Sequence, residues 1–315
     1  METTKDSSIR DQDDGEASAL SKVDADLKTQ SEALDSPLAS HVCENDRRYQ
    51  GFRPGAYWGP NDQEAADNLN LYHRIFSLSY RGRLCLAPIP KAPERVLDLG
   101  TGTGIWALDF AAEHPSATVV GTDISPVNID PVPANVTFKQ DDFCEDWGSS
   151  HENYDFIHAR CLYGSIPNYP ALYEKVLKGL KPGGWFEQAE ISVIAISDDG
   201  SLKGTHMDKW GSLALEIGEK TGKSFAIAEE LIPQIQKAGF VDVRSHTFNW
   251  PVGEWPEEER LKELGRQNRI GWEKGLDSWA NLLFPKVLGD LRNPKIHAYQ
   301  HMTVCYGRKP LEPAP

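Results

Sequence analysis

The chain has 315 residues, 39% of them hydrophobic, enough to bury one large core or two modest ones. Its formal net charge of -14, with no run of Lys and Arg, argues against a nucleic-acid binder, which needs a basic stripe to displace counterions from phosphates. No apolar stretch reaches the roughly 18 residues of a membrane span and the N-terminus lacks the pattern of a signal peptide, so the sequence reads as a soluble intracellular protein, with no membrane partner.

Residues 1–40 contain no aromatic residue and are rich in Ser, Asp and Glu. Their apolar content is too small to offset the entropy of ordering them, so they read as a disordered acidic tail. Its weakly helical stretch "ASALSKVDADLKTQSEAL" could become ordered on a protein partner. Residues 41–90 form an N-terminal lid segment of different texture. "ENDRRYQGFRPGAYWGPND" mixes aromatics, Arg and Gly–Pro turn signals, which suits an ordered but irregular run. "QEAADNLNLYHRIFSLSYRGRL" then places Leu69, Tyr72, Ile75 and Phe76 at helical spacing and predicts an amphipathic helix.

The main domain covers residues 91–309. "RVLDLG" predicts a short buried strand and "GIWALDFAAEH" a helix directly after it. "ATVVGTDIS", "VTFKQDDF" and "YDFIHARCL" predict three more strands. The helix "YPALYEKVLKGL" then leads through the turn "KPGG" into the strand "WFEQAEISVIAI". Strands alternating with helices imply a parallel sheet covered on both faces, a doubly wound α/β fold of Rossmann-like type. "IAEELIPQIQKAGF", "VDVRSHTFNW" and "HMTVCYGRKP" add a helix and two strands. Two mostly helical insertions, at about 198–230 and 254–298, are placed to cap the ligand crevice at the carboxyl ends of the strands.

The stretch "RVLDLGTGTGIWALDFA", residues 95–111, carries the chemistry. Gly100, Gly102 and Gly104 have the spacing GxGxG, and position 105 lacks the glycine that a GxGxxG dinucleotide fingerprint needs. Asp98 stands two residues before the first glycine. A carboxylate there sits badly beside a pyrophosphate and well beside the cationic amino acid end of S-adenosylmethionine. Asp123, at the end of the second strand of the domain, is placed to accept from both ribose hydroxyls, unless it is a helix N-cap. Asp142 could accept from the adenine amino group while Phe143 packs on the base; Asp141 or Asp142 could instead be a solvated turn residue, and the ligand role for Asp142 is the favoured reading.

"VLDLGTGTGIWALDFA", "VVGTDISP", "QDDF" and "DFIHAR" resemble the class I S-adenosylmethionine-dependent methyltransferases. With "RRYQGFRPGAYWGPND", "LYHRIFSLSYRGRLCLAPI" and "LKPGGWFEQAE", the chain from about 44 to 309 is similar to the fungal LaeA-like methyltransferases, which regulate or tailor secondary metabolism. The resemblance implies that Gly100, Thr101, Gly102 and Gly104 hold the methionine portion, Asp123 with Ile124 the ribose, and Asp142 with Phe143 the adenine. It also places Arg160 where cofactor and substrate meet, unless Arg160 merely pairs with a neighbouring acid, and Tyr57 at the substrate mouth. His158 is read as a core histidine or a base.

The sequence singles out no catalytic side chain. Methyl transfer from a sulfonium is an in-line displacement, so alignment can supply most of the acceleration, and a base is needed only for some acceptors. The nine histidines are dispersed, and the five cysteines have neither zinc-site spacing nor the density of a disulfide framework, so no metal site is expected. Eight of the tryptophans, from Trp106 to Trp279, are expected chiefly in core and cap. Two readings remain: an active enzyme with a small-molecule or protein acceptor, and a regulatory subunit that works by binding protein partners. Without a basic targeting run, cytoplasm and nucleus stay equally open.

Overall fold

The computed structural model of the chain describes residues 41–44, 46–148, 152–276 and 284–311. The acidic stretch 1–40 and Trp279 lie outside the described residues. Among the described residues the strands are β1 (His41–Glu44), β2 (Arg47–Gln50), β3 (Arg95–Leu99), β4 (Thr118–Asp123), β5 (Val136–Gln140), β6 (Tyr154–Arg160), β7 (Leu180–Ile196), β8 (Val241–Pro251) and β9 (Tyr299–Arg308). The helices are α1 (Gln63–Tyr80), α2 (Ile105–Glu113), α3 (Tyr169–Gly179), α4 (His206–Thr221), α5 (Ile227–Lys237), α6 (Glu259–Leu276) and α7 (Phe284–Leu291).

The central sheet has the order β5-β4-β3-β6-β7-β9-β8. Strands β3 to β7 run parallel, and β3, β4 and β6 are largely buried apolar runs, as suits strands covered on both faces, whereas the edge strand β5 is mostly exposed. Alternation sorts their side chains. Val96 and Phe156 pack on one face with Trp106 and Phe110 of α2, while Leu97 and Ile157 pack on the other with Tyr173 of α3 and Ile235 of α5.

Three expectations are corrected. The sheet is mostly but not wholly parallel, because β9 inserts antiparallel between β7 and β8. The "KPGG" turn is instead the irregular start of the long strand β7. Gly183 takes a left-handed φ of 80° there, and the register with β6 shifts between Tyr154 and Phe156. The stretch read as irregular begins as a hairpin, with β1 paired antiparallel to β2. Its two short strands lack a buried apolar face, so no alternation announces them.

Helix α1 starts where Asp62 accepts a hydrogen bond from Ala65 N and stops at Arg81, which adopts a left-handed φ of 55°. It buries Ile75 and Phe76, whereas Leu69 stays 38% exposed. The two insertions contribute α4, and α6 with α7, whose apolar faces join Met207, Trp210, Trp272 and Val287 in one cluster. Among the described residues no helix is long and apolar enough to cross a membrane.

Candidate functional site

Strands β3, β4 and β6 are neighbours and parallel, so the loop after Leu99, the end of β4 at Asp123 and the end of β6 at Arg160 come together along one edge of the sheet. They line a cleft of about 320 Å³. The lid covers it through Tyr57, Pro60 and Leu69, and the loop after β5 closes a side with Asp142 and Phe143. Of the residues singled out in the sequence, Tyr57, Gly100, Gly102, Asp123, Ile124, Asp142, Phe143 and Arg160 line this cleft.

Gly100 and Gly102 both have positive φ, 67° and 59°. A Cβ on Gly100 would stand 2.6 Å from a Leu162 methyl, and one on Gly102 would stand 3.2 Å from a Leu69 methyl and protrude into the cleft wall. The missing side chains therefore keep the loop turned and the cleft open. The loop is tied to the next strand: Gly102 N donates to Asp123 Oδ2 at 2.9 Å, and Ser125 N donates to Asp123 Oδ1 at 2.8 Å. Asp123 thus fixes a turn, and since no helix starts there it is not the helix N-cap of the alternative reading. Burial pushes its pKa up to about 6, although both backbone hydrogen bonds pull the other way.

Asp98, Thr101 and Gly104 sit behind the cleft wall. The Asp98 carboxylate accepts from Thr101 Oγ1 at 2.6 Å and faces His158 Nδ1 at 2.7 Å. His158 stacks on Trp106 with ring centroids 3.8 Å apart, so it is the core histidine of the two alternatives. Gly104 packs against Phe138 and begins α2 with no side-chain cap.

Asp142 stands in the cleft and accepts from Cys144 N at 2.9 Å, while Arg53 of the lid approaches it at 3.9 Å and Glu145 at 3.4 Å. Arg160 finds a histidine where an acid was the alternative. Its Nη2 donates to His73 Nδ1 at 3.2 Å, and the guanidinium lies 4.6 Å above the Phe76 ring. An arginine only donates, so the His73 proton must sit on Nε2, which reaches Asp109 at 2.8 Å. Burial also lowers the His73 pKa, in keeping with the neutral ring.

Several lining residues carry no local signal in the sequence. Leu69 reads as one more apolar residue of a helix. Lys223 comes from the first insertion, where its Nζ donates to Ala56 O at 2.8 Å and so fastens the lid from across the cleft. The loop 125–129 lines the cleft because β4 ends just before it, at Asp123. Among the described residues, no group of three or more His, Cys, Asp or Glu side chains is placed to hold a metal ion.

The cleft thus combines the Asp123 carboxylate, a glycine loop whose backbone is uncovered, and a mainly apolar lining. A family model described as a methyltransferase domain matches residues 71–245. The methyltransferase pytC of Aspergillus terreus is 38% identical over 259 residues, covering 82% of this chain and 80% of its own length. The secondary metabolism regulator LAE1 of Cochliobolus heterostrophus is 32% identical, covering 86% of this chain and 95% of its own. The protein-methionine methyltransferase laeA of Emericella nidulans is 32% identical over 85% of this chain and 76% of its own length. The chain belongs to this methyltransferase family, with LaeA-like relatives, and it is an enzyme that uses S-adenosylmethionine to methylate an acceptor.

Proposed function

We propose that the cleft holds S-adenosylmethionine and that the acceptor is a small molecule of the secondary-metabolite type. The observation that carries the cofactor site is the Asp123 carboxylate, which lines the cleft at the end of β4 and has lone pairs left after accepting from Gly102 N and Ser125 N. Those lone pairs suit two adjacent ribose hydroxyls, with Ile124 beside them. Gly100 and Gly102 let the backbone lie against the methionine portion, while Thr101, Gly104 and Asp98 hold that loop in shape from behind. Asp142 and Phe143 take the adenine, and Arg160 and Tyr57 border the end nearest the acceptor. The bound cofactor supplies a methyl group on a positively charged sulfur.

The chain's own residues supply alignment and dryness. Tyr57, Pro60 and Leu69 close over the cleft, and excluding water there strengthens every polar contact inside. The Arg160–His73–Asp109 chain fixes the guanidinium at the cleft wall. Calorimetry with S-adenosylhomocysteine and with NAD tests the cofactor site. Binding of the first without the second is expected, and tight binding of NAD alone would overturn the reading.

A second reading has the chain act as a regulatory subunit that retains the fold. It draws on the relative described as a secondary metabolism regulator. Incubating the chain with labelled methyl donor and cell extract separates the two: a labelled small metabolite supports the first, label confined to protein keeps the enzyme but replaces the small-molecule acceptor with a protein side chain, and no label at all supports the second.

A further inference from the structure

A second cavity, of about 150 Å³, adjoins the cleft, and Tyr57, Pro60, Ala65, Leu69 and Cys161 belong to the walls of both. Trp58 of the lid, Tyr72 of α1, Tyr163 after β6, Trp210 of α4 and Trp272 of α6 complete an aromatic lining. The indole N–H of Trp58 donates to Tyr163 O at 3.1 Å and that of Trp272 to Gln300 Oε1, so these rings offer the cavity their carbon surface. Gln300 in turn donates to Ser192 O at 3.2 Å.

Two polar atoms of the lining residues are buried without a hydrogen-bond partner, the donor Arg47 Nη1 and the acceptor Asn68 Oδ1. The Arg47 charge is matched by Asp62 at 2.7 Å, and the other two charged lining residues, Glu64 and Lys274, are of opposite sign, so the chamber offers no net charge to a ligand ion. Neither atom is exposed to the cavity as it stands, but a turn of the Asn68 amide brings a polar atom to it, and a hydroxyl group suits either end because it donates and accepts.

Helix α6 leaves the space. On Gly271 a Cβ would stand 2.9 Å from the Tyr72 ring, so close packing accounts for that glycine. No such crowding exists at Gly275, where the nearest atom to a Cβ would be Asn68 Nδ2 at an ordinary 3.6 Å. A glycine inside a helix costs about 1 kcal/mol relative to alanine, and here its return is cavity volume.

We infer that this chamber receives the methyl acceptor, and that the acceptor enters as an uncharged aromatic ring bearing a hydroxyl group. A cavity of about 150 Å³ has room for one benzene-sized ring, and its aromatic walls supply the apolar part of the lining. Aromatic walls favour a ring over an aliphatic chain through edge and face contacts. The shared wall then sets the ring beside the cleft, so the inference rests on the cofactor reading given above.

The test uses the full chain and phenol as probe, with binding followed by tryptophan fluorescence and ligand-observed NMR. Phenol is expected to bind, and cyclohexanol, benzoate and N-acetylmethionine amide to bind far more weakly. Gly275→Leu fills the chamber and should weaken phenol by at least about tenfold, while S-adenosylhomocysteine binding stays within about twofold, since the cleft is untouched. Asn68→Leu should weaken phenol by about fivefold and leave toluene unaffected, the loss of one hydrogen bond. This second variant decides the matter if the first does not fold. Phenol affinity unchanged in both variants would overturn the inference, as would preference for benzoate or for N-acetylmethionine amide, the latter pointing to a protein side chain. Absence of S-adenosylhomocysteine binding in the unaltered chain would instead sink the cofactor reading, and variant-sensitive phenol binding would still locate a ring site.

Discussion

Asp98 and His158 lie side by side on adjacent parallel strands, with Oδ1 and Nδ1 2.7 Å apart and both side chains buried. An ionised carboxylate only accepts, so the imidazole carries its proton on Nδ1. Burial lowers the His158 pKa and keeps the ring neutral. His158→Phe would keep the stack on Trp106 and strip a charge-assisted hydrogen bond from the buried carboxylate. The expected loss of stability is about 1.5 to 3 kcal/mol, read as a lower urea midpoint with unchanged slope. An unchanged midpoint would mean that Thr101 alone satisfies Asp98.

Glu187 is fully buried in β7 and accepts from Leu86 N at 2.7 Å and Ala87 N at 2.6 Å. Burial outweighs those hydrogen bonds and raises its pKa to about 7. Because the folded state holds this proton more tightly than the unfolded chain does, stability is greatest below pH 4.5 or so and falls as pH rises through about 7. The penalty of the ionised form at high pH is on the order of 3 kcal/mol. Glu187→Gln keeps an acceptor for the two N–H groups and should flatten this part of the profile. Denaturation at a series of pH values tests this, and variant and parent losing stability in parallel between about pH 4.5 and 7 would contradict the assignment.

The cleft was legible where function is written in short local patterns. GxGxG after an apolar strand places Gly100 and Gly102, and an acid at the end of the next strand places Asp123, because parallel strands necessarily end on one edge. Asp98 shows the limit. Its position in the pattern was visible, but its orientation depends on the register that sets it opposite His158 on β6, a pairing across 60 residues. Lys223 and the chamber around Trp272 depend on how two insertions fold back over the lid, and no periodicity in either announces it. The antiparallel β9 has the same cause: a strand's direction follows from the path of the chain before it, not from its own composition.

Asp123 should make cofactor binding depend on pH. Its pKa in the free protein is about 6, and hydroxyl donors favour the ionised form, so the pKa in the complex lies lower. The extra affinity is therefore complete above that value and is lost as pH falls through it. Asp123→Ala should weaken S-adenosylhomocysteine by about 2 to 4 kcal/mol, the scale of one to two hydrogen bonds to a charged acceptor at about 1.5 to 3 kcal/mol each. The variant's affinity should be level across the same range. Calorimetry between about pH 5 and 8 measures both effects, and a slope that persists in the variant would assign the titration to another group.

The lid is held by contacts that lie within residues 47–62 and across to the first insertion. Arg47 grips Asp62 through Nε at 2.7 Å and Nη2 at 3.0 Å, and Lys223 donates to Ala56 O. Tyr57 and Pro60, between those anchors, line the cleft. Deleting residues 1–40 spares every one of these contacts and should leave S-adenosylhomocysteine affinity within about twofold, as expected for a terminal segment outside them. Deleting residues 1–60 removes Arg47, Arg53, Ala56 and Tyr57 together and should abolish binding, while α1, capped by Asp62, keeps its start. Hydrogen exchange with and without S-adenosylhomocysteine should show slowed exchange across residues 50–80, where the lid closes on the ligand. Full binding by the longer deletion, together with no protection in that window, would make the lid a surface for a protein partner and shift the balance to the regulatory reading.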